Sequence, residues 1–159
     1  MLKYLQLMLC AFAFDLAATV HAEQPSVLQT DQITIIYERP LRGAAEDMIR
    51  LFPKLRLELA DIFGWHFDIE PRVVLVSQNQ KFQSMSGNEY FVAYPIPDRN
   101  LIVVDYTRMN IRPFTLETTF KHELCHLLLH RYVDNRNLPK WLDEGVCQWI
   151  SDGVGELYI

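Results

Sequence analysis

The sequence predicts an α+β domain with a small, mixed, twisted sheet. Three observations predict it: short β-branched runs at 33–37 and 72–76, a long amphipathic stripe at 42–63, and two consecutive helix patterns after residue 114. Half of the 159 residues are hydrophobic and 22% are charged, a composition that fits one globular domain rather than a disordered or membrane-embedded chain. The formal charge of −5 and the lack of any Lys/Arg stripe argue against nucleic acid as a partner.

Residues 1–22 read as a signal peptide: Lys3 in a short basic start, an apolar stretch at 5–14, and Val20-His21-Ala22 as a small-residue cleavage site. Asp15 interrupts the apolar stretch, which falls short of the roughly 18 residues that a membrane span needs. Leu9 stands before Cys10 where a lipid-modified signal wants a small residue, which argues against a lipoprotein. The expectation is an exported chain, periplasmic or secreted, with a mature domain at 23–159 and no stable membrane anchor after cleavage.

Residues 33–37, Ile-Thr-Ile-Ile-Tyr, are rich in β-branched side chains and read as a strand. From 42 to 63, Met48, Ile49, Phe52, Leu55, Leu59 and Ile62 recur at three and four residues, a helical core stripe that Gly64 ends and that Pro53 should kink or divide. Residues 72–76 form a near-continuous apolar run, as in a strand buried on both faces. A short helix at 78–85 stops at Ser86-Gly87. Residues 90–94 and 101–105 read as a hairpin around a turn at 95–100, whose prolines suit a sheet edge. Thr115 caps a helix that runs to about residue 131, with Glu117 in its first turn. After a polar loop at 134–138, Pro139 fits the first position of a last helix carrying Trp141, Leu142, Val146, Trp149 and Ile150.

The chemistry sits on those two helices. In His122-Glu123-Leu124-Cys125-His126 the histidines are four residues apart, so both imidazoles face one side of the helix and converge on a single ion. Glu123, beside the first of them, reaches a water at the metal without occupying a coordination position. A catalytic zinc usually takes three protein ligands, so a third must come from elsewhere. Trp141-Leu142-Asp143-Glu144-Gly145 offers two carboxylates: Glu144 shares a helical face with Trp141 and Gln148, and Asp143 is turned about a hundred degrees away.

The segments Phe120-Lys121-His122-Glu123-Leu124-Cys125-His126 and Leu138-Pro139-Lys140-Trp141-Leu142-Asp143-Glu144-Gly145 resemble gluzincin zinc metallopeptidases of the peptidase MA-like family, over about 35 contiguous residues. The resemblance implies a zincin-like fold in which Zn2+ is held by His122, His126 and Glu144. It further implies peptide-bond hydrolysis by a zinc-activated water, with Glu123 as general base and proton shuttle, on a peptide or protein substrate. In such peptidases an edge strand pairs with the substrate backbone; Phe91, Val92, Ala93 and Tyr94 are similar in placement. They also supply an oxyanion donor, for which Tyr158, Tyr132 and Tyr106 are the candidates. The metzincin pattern would need Gly at 129 and His at 132, where Leu129 and Tyr132 stand.

Plainer readings apply to the remaining residues. His130 reads as a surface or helix-end residue, His66 as part of a loop or strand start, Asp98-Arg99 as a solvated turn, and Cys125 as a packed thiol. Cys125 and Cys147 are either two buried thiols or one disulfide. Two other function classes remain beside the peptidase: a catalytically silent domain of the same type that binds metal or an extended peptide, and a purely structural domain. The last predicts that His122, His126 and Glu144 do not converge.

Overall fold

The computed structural model describes residues 24–87, 91–109 and 115–151. The signal peptide read at 1–22, Cys10, Tyr90 and Tyr158 lie outside the described residues. The five strands are β1 (Ser26–Gln29), β2 (Thr34–Tyr37), β3 (Arg72–Val76), β4 (Ala93–Ile96) and β5 (Leu101–Asp105). The helices are α1 (Arg42–Phe63), α2 (Asn79–Ser86), α3 (Leu116–Tyr132) and α4 (Lys140–Ser151). The sheet order is β1-β2-β3-β5-β4, parallel at β2/β3 and β3/β5 and antiparallel at both margins. The molecule is therefore an α+β domain on a mixed sheet, as the sequence predicts.

Strand alternation divides the core. Ile35, Tyr37, Val73, Leu75, Ile102 and Val104 point to one face, where α1 (Met48, Phe52, Leu55, Leu59) and α3 (Phe120, Leu124, Leu127, Leu128) cover them. Val76 and Val103 point to the other face, against Phe82 of α2. The strand at 72–76 is thus flanked by parallel neighbours and covered on both sides. Phe52 links the layers, edge-on to Phe67 with centroids 5.8 Å apart and near Phe120 at 6.3 Å. Lys54–Glu117 at 2.7 Å and Lys121–Glu58 at 2.9 Å tie α1 to α3 on the outside.

Several expectations are corrected. Pro53 does not divide α1, which runs unbroken; this proline is exposed, so the ladder bond it cannot donate is missing on the face open to water. Ile62 is exposed, because Phe63 closes the stripe instead and stacks on Trp65 at 4.7 Å. Gly64 then stops the helix in the left-handed region at φ 68°, a conformation that strains other residues. Pro95 belongs to β4, opposite Ile102, rather than to the turn, which is Pro97–Arg99 followed by Asn100. Pro139 precedes α4, and its carbonyl accepts the first helical bonds from the Leu142 and Asp143 amides. Strand β1 is an addition that the sequence reading lacks. Among the described residues no helix is long and apolar enough to cross a membrane.

Candidate metal centre

α3 is capped at its first turn. Thr115 Oγ1 accepts the Thr118 amide at 3.1 Å, and Thr118 Oγ1 accepts the Thr115 amide at 3.4 Å, a reciprocal cap. Phe120, Leu124, Leu127 and Leu128 sink the helix into the core, which leaves His122 and His126 facing α4. Their rings cross at 79° with the two Nε2 atoms 3.1 Å apart. From α4, Glu144 brings Oε2 to 3.6 Å from each of those nitrogens.

The purely structural reading predicts that these three side chains diverge; they converge instead. A triangle with sides of 3.1, 3.6 and 3.6 Å has a circumradius of about 2.0 Å. One point therefore lies about 2.0 Å from two imidazole nitrogens and a carboxylate oxygen, the bond length of zinc to such atoms. The donor set fits a divalent metal ion. Glu123, adjacent to His122 and nearly fully buried, completes the group of side chains.

Charge points the same way. Burial lowers the pKa of the His126 ring, but the carboxylates of Asp143 and Glu144 beside it and the charge of Glu123 outweigh burial and raise it to about 10. Contacts with His122 and His126 hold the Glu144 carboxyl well below the ordinary carboxylate range, against the opposing effect of burial. Three carboxylates around two rings make a site that stabilises positive charge.

Asp143 and His130 join this cluster, to which the sequence reading did not assign them. Asp143 does turn away from Glu144, and that turn carries it to His126: Oδ1 accepts from His126 Nδ1 at 2.7 Å, leaving Nε2 for the metal side. Its other oxygen, Oδ2, bonds His130 Nε2 at 2.9 Å. His130 lies in the last turn of α3, as its helix-end reading expects, but its side chain is only 21% exposed and Nδ1 meets Asn135 Oδ1 at 2.6 Å. The four-residue spacing from His126 to His130 was the signal that could have revealed it.

Cys125 and Cys147 are free, fully buried thiols that face each other between α3 and α4; burial, then this contact, pushes the Cys147 thiol up. Of the oxyanion candidates, Tyr132 has its hydroxyl donating to the His66 carbonyl at 2.7 Å and its ring stacked on Trp65. Tyr106 is half-buried against the core, and Tyr158 lies outside the described residues. The carbonyls of Phe91 and Val92 are bound by Arg108 and by the Asp105 amide, and Val92 and Ala93 are buried. Among the described residues β4 is the last strand of the sheet, and it packs beside α3.

No family model matches this chain, and no curated protein matches it.

Proposed function

We propose that this chain is a zinc-dependent peptidase of the gluzincin type, exported by the segment at 1–22. The observation that carries the reading is the meeting of His122 Nε2, His126 Nε2 and Glu144 Oε2 around one point at zinc-bonding distance, with a buried glutamate next to the first ligand. When bound there, zinc would polarise a substrate carbonyl and make water a nucleophile near neutral pH.

The chain's own residues supply the rest. Glu123 accepts a proton from the attacking water as its oxygen bonds to the carbonyl carbon, then delivers that proton to the leaving amine nitrogen as the C–N bond breaks. His122, His126 and Glu144 would hold the metal, and Glu123 is buried beside His122 in the chain. β4, at the sheet margin and packed beside α3, offers its backbone to an extended peptide. A second reading, metal or peptide binding without turnover, draws support from the engagement of the Tyr132 hydroxyl elsewhere.

Cleavage of a broad peptide library by the zinc-loaded protein distinguishes the two. Wild type is expected to hydrolyse, and Glu123→Gln to keep its zinc and lose about 10²–10⁴-fold in rate or more. Zinc-loaded wild type that cleaves nothing in the library would leave only the silent reading standing.

A further inference from the structure

We infer that His130 is a positioning residue for the metal centre, acting through Asp143 on His126; this rests on the reading that His122, His126 and Glu144 hold the metal. The observation is a continuous run of hydrogen bonds: Asn135 Oδ1 to His130 Nδ1 at 2.6 Å, His130 Nε2 to Asp143 Oδ2 at 2.9 Å, and Asp143 Oδ1 to His126 Nδ1 at 2.7 Å. It passes from the short turn between the helices to α3, across to α4 and back to α3.

Each link restricts the next. A carboxylate that met only His126 could rotate about its terminal bond and share its oxygens with water. Bonded through both oxygens to two rings one helical turn apart, Asp143 has its plane fixed. His126 Nδ1 then has one acceptor in one place, which sets the tautomer and the direction of Nε2. Asn135 holds the far side of His130 from a turn that is itself braced, since Asp134 Oδ1 accepts the Arg136 amide at 2.9 Å. A histidine that served only to favour the helix end would need neither the burial nor the two partners. His130 touches no reacting atom in this arrangement; its effect is on how tightly the metal is held and how the ring is aimed.

The test is zinc affinity, measured on the full chain by equilibrium competition with a chromophoric chelator, for wild type, His130→Ala and His130→Gln. Loss of a partner behind a metal-bound histidine typically costs 10–100-fold in affinity, and His130→Ala is expected at about tenfold. Gln carries an amide N–H that reaches Asp143 in place of Nε2–H, so His130→Gln is expected to recover most of that loss. The visible spectrum of the cobalt-loaded proteins should shift in His130→Ala and return in His130→Gln. Equal zinc affinity for wild type and His130→Ala overturns the role of His130 and leaves the metal site intact. Zinc binding that is equally weak in both variants overturns it as well, since the hydrogen bond would not be what matters. If His130→Ala fails to fold, His130→Leu, which fills the space without an N–H, takes its place: a tenfold loss in His130→Leu that His130→Gln recovers supports the role, and wild-type affinity in His130→Leu overturns it. Wild type that binds no zinc at all overturns both this inference and the reading beneath it.

Discussion

Replacing Glu144 with Gln keeps the length of the side chain and removes one negative charge from the centre. Oε2 stands 3.6 Å from Nε2 of both His122 and His126. At an effective dielectric near 20, unit charges at that separation interact by about 4–5 kcal/mol. The Glu144 side chain is one-third exposed, so solvent screens roughly half of this and leaves about 2 kcal/mol. That energy corresponds to about 1.5 pKa units. His126, raised to about 10 in the metal-free protein, is therefore expected to titrate about 1.5 units lower in Glu144→Gln. A divalent ion carries twice the charge and would lie closer to Oε2 than the ring nitrogens do, so zinc should lose at least about 4 kcal/mol, or about three decades of affinity. An NMR titration of the His126 ring in metal-free protein reads the first effect, and chelator competition reads the second. An unchanged His126 midpoint together with undiminished zinc affinity would refute the placement of Glu144 in the centre.

The glycine after that glutamate and the pH response of the empty site give two further tests. Gly145 lies inside α4, and a Cβ built on it meets nothing within 4 Å; Gly145→Ala is expected to stabilise the fold by about 1 kcal/mol, raising the calorimetric Tm by about 3–5 °C, and a lower Tm contradicts this. In the metal-free protein the raised His126 pKa gives stability that is fully present below its unfolded value of 6.5 and lost as pH climbs towards about 10. The depressed Glu144 pKa gives stability that is present above its unfolded value of 4.5 and lost as pH falls. Urea midpoints are thus expected to peak at about pH 5–6, between those values, and a midpoint that rises from pH 7 to pH 10 would contradict the assignment.

Much of the fold was legible because hydrophobic periodicity dominates the long elements. The stripe Met48, Phe52, Leu55 and Leu59 fixed α1 with its observed limits, and Thr115 and Gly64 marked helix ends through cap chemistry that acts within a few residues. β1 was illegible for the opposite reason: Ser26–Gln29 is a margin strand with Val27 exposed, so pairing to β2 rather than burial makes it a strand. The ligands His122 and His126 were legible because four-residue spacing is a geometric statement within one helix. Glu144 was legible through a motif. Asp143 and His130 were only partly legible: the four-residue spacing puts His130 on the face of His126, but the bond from His130 to Asp143 joins α3 to α4 and depends on how the helices pack. The bond from the Tyr132 hydroxyl to the His66 carbonyl was illegible for the same reason, the two residues being 66 apart in the chain.

The central claim is that two imidazoles and one carboxylate hold a single metal ion. Zinc-edge X-ray absorption on protein carrying its bound zinc measures this directly. The expected result is one zinc per chain with only nitrogen and oxygen neighbours at about 2.0–2.1 Å and the outer scattering of two imidazoles. Sulfur neighbours at about 2.3 Å would assign the metal to Cys125 and Cys147 instead, and a protein that retains no zinc would contradict the account outright.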